Sequence, residues 1–113
     1  MIQKSFVRQH RRRWGLTPAE LAHLIGTSPG ILTRHETSAS PLNLDLSFGL
    51  QVVLGLTPRA LFPGQYRKIE EAVMQRASKL DALIRNRHDS ASKLKRRLFR
   101  SMVLRASRNS AGA

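Results

Sequence analysis

The run Leu16-Thr17-Pro18-Ala19-Glu20-Leu21-Ala22-His23-Leu24-Ile25-Gly26 is followed at once by Thr27-Ser28-Pro29-Gly30-Ile31-Leu32-Thr33-Arg34-His35-Glu36, and both halves open with the same local chemistry. Thr17 is suited to cap a helix. Pro18 suits the first helical position, where the amide it lacks would go unpaired, and Glu20 completes a reciprocal capping pair. Ser28 and Pro29 repeat the signal, while Gly26 can take the left-handed conformation that ends a helix. Leu21, Leu24 and Ile25 share one face at helical spacing, and Leu32 offers the next helix an apolar contact with it. The expectation is two short helices joined by the turn Gly26-Thr27-Ser28. That unit is a helix-turn-helix, whose second helix can lie in the DNA major groove.

The residues around it extend the pattern: Arg11, Gly15-Leu16-Thr17, Leu21-Ala22, Gly26, Ser28, Leu32-Thr33 and Glu36, then Leu46, Leu50, Leu54-Gly55 and Leu61-Phe62. In this the chain resembles the phage repressor and Cro type of helix-turn-helix, also called the xenobiotic-response-element type, over roughly residues 3 to 63. The resemblance implies an all-α, five-helix repressor-like domain and a transcriptional regulator, of bacterial or mobile-element origin, that works as a dimer on double-stranded DNA. The chain departs from the family at Pro18 and Pro29, where Gln is frequent, one holding phosphate and the other reading a base. Neither proline donates a hydrogen bond from its side chain or its backbone.

Net charge is +13 over 113 residues, and it is unevenly placed. Residues 1 to 15 carry Lys4, Arg8, Arg11, Arg12 and Arg13 with no acid; residues 16 to 63 are slightly acidic; residues 64 to 113 hold thirteen Lys or Arg against four acids. Phosphate neutralisation supplies much of the affinity of nucleic-acid-binding proteins, so the flanks would bring binding strength and the helix-turn-helix selectivity. The chain has no cysteine, which excludes disulfides and thiolate metal sites and fits a reducing cytoplasm. No apolar run approaches the ~20 residues that span a bilayer, and the N-terminus has no signal-peptide core.

Periodicity and breakers predict helices near 2 to 14, 17 to 26, 29 to 37, 43 to 54, 58 to 62, 65 to 88 and 90 to 106, with no strand. Pro63-Gly64 is read as the end of the compact domain at 1–63, leaving a long helix in 64–88 and a basic amphipathic helix with a frayed tail in 89–113. The long helix presents Tyr66, Ile69, Val73, Ala77, Leu80 and Ile84 along one stripe. Such a stripe folds back on its own chain or pairs with a second copy, and a homodimer seam through Tyr66, Ile69, Val73, Leu80 and Ile84 is expected. The last helix carries Leu94, Leu98, Phe99, Met102 and Val103 among seven Lys or Arg.

The DNA-facing set expected from this arrangement is Thr17, Thr27, Ser28, Pro29, Gly30, Thr33, Arg34 and Thr37, with Arg8 and Arg12 on phosphates. Arg34 is favoured as a guanine contact over a merely exposed arginine. Ile31 either touches a thymine methyl or packs. Arg11 is read as a brace to Glu36 in preference to a phosphate contact, since half-buried pairs in small domains are commonly architectural. His10, His23, His35 and His88 lack the spacing of a zinc motif, so no metal and no cofactor is expected. Nothing assembles Ser, His and Asp into a nucleophilic site, which argues against an enzyme.

The leading expectation is a sequence-specific regulator, in which transcription would change by occlusion of, or contact with, RNA polymerase. Two alternatives stay open. The two prolines, the neutral loop Thr37 to Pro41 and the slightly acidic middle also suit a helix-turn-helix scaffold reused as a protein-binding module that sequesters another regulator through the stripe of helix 65 to 88. Structured RNA, clamped by the basic tail, is the other. Basic amphipathic helices also bind anionic lipid, although no membrane partner is expected.

Overall fold

The computed structural model describes residues 5–37 and 43–111, with side chains as far as Arg108. Among the described residues there are seven helices and no strand: α1 (Val7–Arg13), α2 (Pro18–Ile25), α3 (Pro29–Glu36), α4 (Leu44–Leu54), α5 (Pro58–Leu61), α6 (Pro63–Ile84) and α7 (Ser90–Ala111). They fall into two compact units, Met1–Tyr66 and Arg67–Ala113. The loop expected at 37 to 41 lies outside the described residues beyond Thr37, as does the helix expected from residue 2 as far as Lys4.

The local starts of the short helices are built by side chains. Thr17, Ser28, Asn43 and Thr57 each cap the helix that follows, and Pro18, Pro29 and Pro58 occupy first-turn positions. Gly26 and Gly55 close α2 and α4 with φ of 78° and 72°, in the left-handed region that penalises any Cβ. Caps alone do not hold helices this short. A cap is worth about 1 kcal/mol, whereas burying one Leu or Val yields about 1.5–3 kcal/mol. Val7, Leu21, Leu32, Leu50 and Leu61 are fully buried in one core with Ala22, Leu54 and Phe62 beside them. Within this unit α2 packs on α3 and α4, α1 on α3, and α4 on α5. The α2–α4 contact is tight: a Cβ added at Gly49 would lie 3.1 Å from the Ile25 Cβ.

Several expectations are corrected. The first helix starts at Val7, because the Phe6 amide is drawn away to donate to the Leu61 carbonyl (2.9 Å) while Ser5 Oγ accepts from the Val7 amide (3.2 Å). Leu24 is exposed, because α2 meets its neighbours along Leu21, Ala22 and Ile25, and Ala22 takes the buried place instead. α4 is apolar on nearly every side; Leu46, Leu50 and Leu54 are buried, and Leu44, Phe48 and Val52 remain at the surface.

In the C-terminal part, the long helix expected from residue 65 begins at Pro63. Its fixed φ suits a first helical residue, and the Phe62 carbonyl accepts from the Tyr66 amide (3.1 Å). α6 stops at Ile84 rather than 88, where Ile84 O accepts from the Arg87 amide (3.0 Å) and Arg85 O from Arg96 Nη1 (3.4 Å). Asp89 then starts α7. Its carboxylate accepts from the Ser92 hydroxyl (2.7 Å) and amide (3.1 Å), which together hold the Asp89 carboxyl below its ordinary range. α7 runs to Ala111 rather than ending near 106.

Candidate nucleic-acid interface

α3 divides cleanly into an anchored and a free face. Leu32, His35 and Glu36 are buried, whereas Ser28, Pro29, Gly30, Ile31, Thr33, Arg34 and Thr37 are exposed. Its orientation begins one helix earlier. The Thr17 amide donates to Glu20 Oε1 (2.9 Å) and the Glu20 amide to Thr17 Oγ1 (3.1 Å), the reciprocal pair that fixes the start of α2. The bond from the Thr17 amide, followed by that from its side chain, keeps the Glu20 carboxyl below its ordinary range. After Gly26 the Thr27 amide returns to the Ala22 carbonyl (2.9 Å), and Ser28 Oγ accepts from the Ile31 amide (3.2 Å) to start α3.

The exposed side chains differ in what they can still offer. The Thr33 hydroxyl donates to the Pro29 carbonyl (2.9 Å) and the Thr37 hydroxyl to the Thr33 and Arg34 carbonyls (both 3.1 Å), so the donors of both threonines are engaged within the helix. Thr33 is left with its methyl and its lone pairs. Pro29 has no donor and Gly30 has open space where a side chain would be. Thr27 is half-buried and Thr17 exposed. Among the described residues no acceptor engages the Arg34 guanidinium, so its five donors face solvent.

Behind this face stands the pair of Arg11 and Glu36. Arg11 Nε donates to Glu36 Oε1 (3.0 Å) and its Nη1 to the Leu16 carbonyl (2.7 Å), with side-chain exposures of 8% and 2% for the two residues. One guanidinium therefore ties α1 to α3 and to the chain entering α2. Arg8 shares the carboxylate at 3.9 Å with its own side chain 45% exposed. Arg8, expected on a phosphate, thus lies beside the Glu36 carboxylate as well. Arg12 is exposed. Arg8 and Arg12 line an open cleft with Ser5, Gln9 and Thr37 above Glu36. Ser5, which precedes α1, and Gln9 belong to no motif; the one signal that could have found them is their nearness in sequence to Arg8 and Arg12. The basic last turn of α1, His10 to Arg13, also complements the negative end of the helix dipole.

The residues expected at a dimer seam are split. Ile84 is 2% exposed within its own chain, at the end of α6. Tyr66 carries the Arg59 guanidinium 5.0 Å above its ring. Ile69, Val73 and Leu80 remain exposed.

Among the described residues no group of three or more His, Cys, Asp or Glu side chains is placed to hold a metal ion, and no helix is long and apolar enough to cross a membrane. Comparison of the chain with family models, with curated proteins and with solved structures finds no match.

Proposed function

We propose that this protein is a DNA-binding transcriptional regulator of the helix-turn-helix class, acting in the cytoplasm without catalysing a reaction. In this reading α3 enters the major groove, Arg34 reads a base, and Arg8 and Arg12 hold phosphates beside Thr37. The observation that carries it is the division of α3: one face is locked by Leu32 and the buried Arg11–Glu36 pair, and the other presents an unengaged guanidinium. A rigid helix with a forked donor on its free face is what bidentate recognition of guanine requires. The basic α7, with seven Lys or Arg and no acid, would supply sequence-independent affinity. Two copies joined along Ile69, Val73 and Leu80 would read two half-sites; α6 has nearly balanced charge, so this contact meets little repulsion.

The test is selection of duplexes from a random pool, followed by competition titrations. Arg34→Ala should cost about 1–3 kcal/mol against the selected site and leave binding to unrelated duplex nearly unchanged. A parent protein that enriches no duplex, or a variant that keeps full preference, overturns base readout. The second reading, a helix-turn-helix scaffold that captures another regulator, is favoured by one observation: Pro29 and Gly30 leave the start of α3 without a side-chain donor.

A further inference from the structure

α6 and α7 form a hairpin across the turn at 85–89, fastened where Arg96 Nε donates to Asp81 Oδ1 at 3.0 Å. Along one side of it runs an open groove of about 510 Å³. Its apolar lining comes from Met74 and Ala77 of α6 and from Phe99, Val103 and Leu104 of α7. With its polar residues included the lining runs from Met74 to Asp81 on α6 and from Arg96 to Leu104 on α7, about two turns of each, the length over which an inserted helix places side chains at i, i+3 or i+4, and i+7. Val103 and Leu104 are more than half exposed, so the hairpin leaves its own apolar surface uncovered.

The rim decides what fits. Arg96 and Arg100 border the groove, and Arg96 is already committed to Asp81. Arg100 is exposed, with no acceptor among the described residues, and stands beside Arg97 on a helix without a single acid. A second copy seated through its own α7 would bring seven more positive charges against the same rim. Nucleic acid would satisfy the arginines but leave Phe99, Val103 and Leu104 uncovered. A bilayer takes a convex apolar face with its charges held outside, not a concave trough with a carboxylate in its wall.

We propose that the α6–α7 groove is a docking site for an amphipathic helix of a partner protein, with an apolar stripe inserted between the helices and Asp or Glu on its flanks facing Arg100 and Arg97. The site stands whether or not the N-terminal unit binds DNA.

The experiment uses the full chain and a fluorescein-labelled synthetic helix of about 18 residues, five turns, with Leu at i, i+3, i+4 and i+7 and Glu elsewhere. Fluorescence anisotropy should show saturable binding that is largely abolished at about 1 M salt, where the screening length is ~3 Å. A peptide with Ser for every Leu, and one with Lys for every Glu, should fail to bind. Val103→Glu, at an exposed position that leaves the fold intact by circular dichroism, should weaken binding about tenfold or more. Arg100→Glu should weaken it as well, and a peptide with one central Glu changed to Lys should restore part of the loss. Equal binding of the Ser peptide would overturn the proposal in favour of plain polyanion adhesion. Undiminished binding by Val103→Glu would overturn it too. So would anionic phosphatidylglycerol vesicles, or self-association measured by sedimentation, if either binds more strongly than the peptide and is abolished by the same variant.

Discussion

Replacing Arg11 with Met should come close to unfolding the N-terminal unit. Among the described residues the change leaves the Glu36 carboxylate, 2% exposed, with only Arg8 at 3.9 Å, and it deprives the Leu16 carbonyl of its 2.7 Å donor. Removing one member of a buried pair costs about 3–5 kcal/mol, because the remaining charge stays desolvated without a partner. An orphaned buried acceptor costs about 1–3 kcal/mol, and since both penalties arise at one guanidinium they overlap. A loss near 4 kcal/mol is thus a large share of the roughly 5–15 kcal/mol that stabilises a typical domain. Arg11→Met combined with Glu36→Leu removes the stranded charge as well, and should recover at least about 2 kcal/mol of the single-variant loss. Urea denaturation followed by Trp14 fluorescence reports on this unit selectively, since Trp14 is the sole tryptophan and follows α1 directly. If Arg11→Met costs less than about 1 kcal/mol, the value for a solvated surface pair, or if the double variant is no better than the single one, the pair is not the brace described above.

Three further outcomes are expected. Exchanging the exposed Lys93, Lys95, Arg105 and Arg108 for Gln should weaken binding to all duplexes alike and flatten the logarithmic salt slope by about 0.9 for each phosphate no longer neutralised; parallel slopes in titrations would count against a phosphate role for α7. Charge exchange is preferable to removing residues 90–113, which would also take away the Arg96 partner of Asp81. If Val73 and Leu80 lie at a homodimer seam, Val73→Glu with Leu80→Glu should give folded monomers by light scattering, and unchanged mass would place no seam there. For pH, Glu20 and Asp89 have folded-state values below those of the unfolded chain, so their contribution is present above the ordinary carboxylate range and is lost as pH falls through the depressed values. Far-ultraviolet circular dichroism should therefore show helix loss on acidification, and Glu20→Gln, which keeps an acceptor for the Thr17 amide, should remove its share of that dependence while retaining the cap. An acid limb identical to the parent's would refute the assignment to Glu20.

Helix starts were the most legible part of the sequence, because capping is local: Thr17, Ser28 and Thr57 act on amides within three residues of themselves. Burial was harder to read. In α4 nearly every position is apolar, so no periodicity distinguishes Leu50, which is buried, from Phe48 or Val52, which are not. Pro63 was ambiguous for a physical reason, since proline both terminates the helix before it and suits the first turn of the next. At the candidate site, the exposure of Arg34 followed from helical spacing to Leu32. The share of Arg8 in Glu36, the burial of His35 and the internal use of the Thr33 and Thr37 hydroxyls depend on how α1 meets α3 and on side-chain torsions. One-dimensional pattern does not contain those.

The absent side chain at residue 49 acts as a gauge. Ile25 rests on bare backbone there, one residue before the Gly26 hinge that aims α3, and a single methyl at that point would meet the Ile25 Cβ at 3.1 Å. Densely packed interiors transmit such a displacement instead of absorbing it. A spacer of one carbon in α4 would therefore tilt the end of α2 by a few tenths of an ångström, and with it the pitch at which α3 is held out. On the proposed reading, in which α3 selects a duplex, that selectivity would shift through a position that never approaches the reading face.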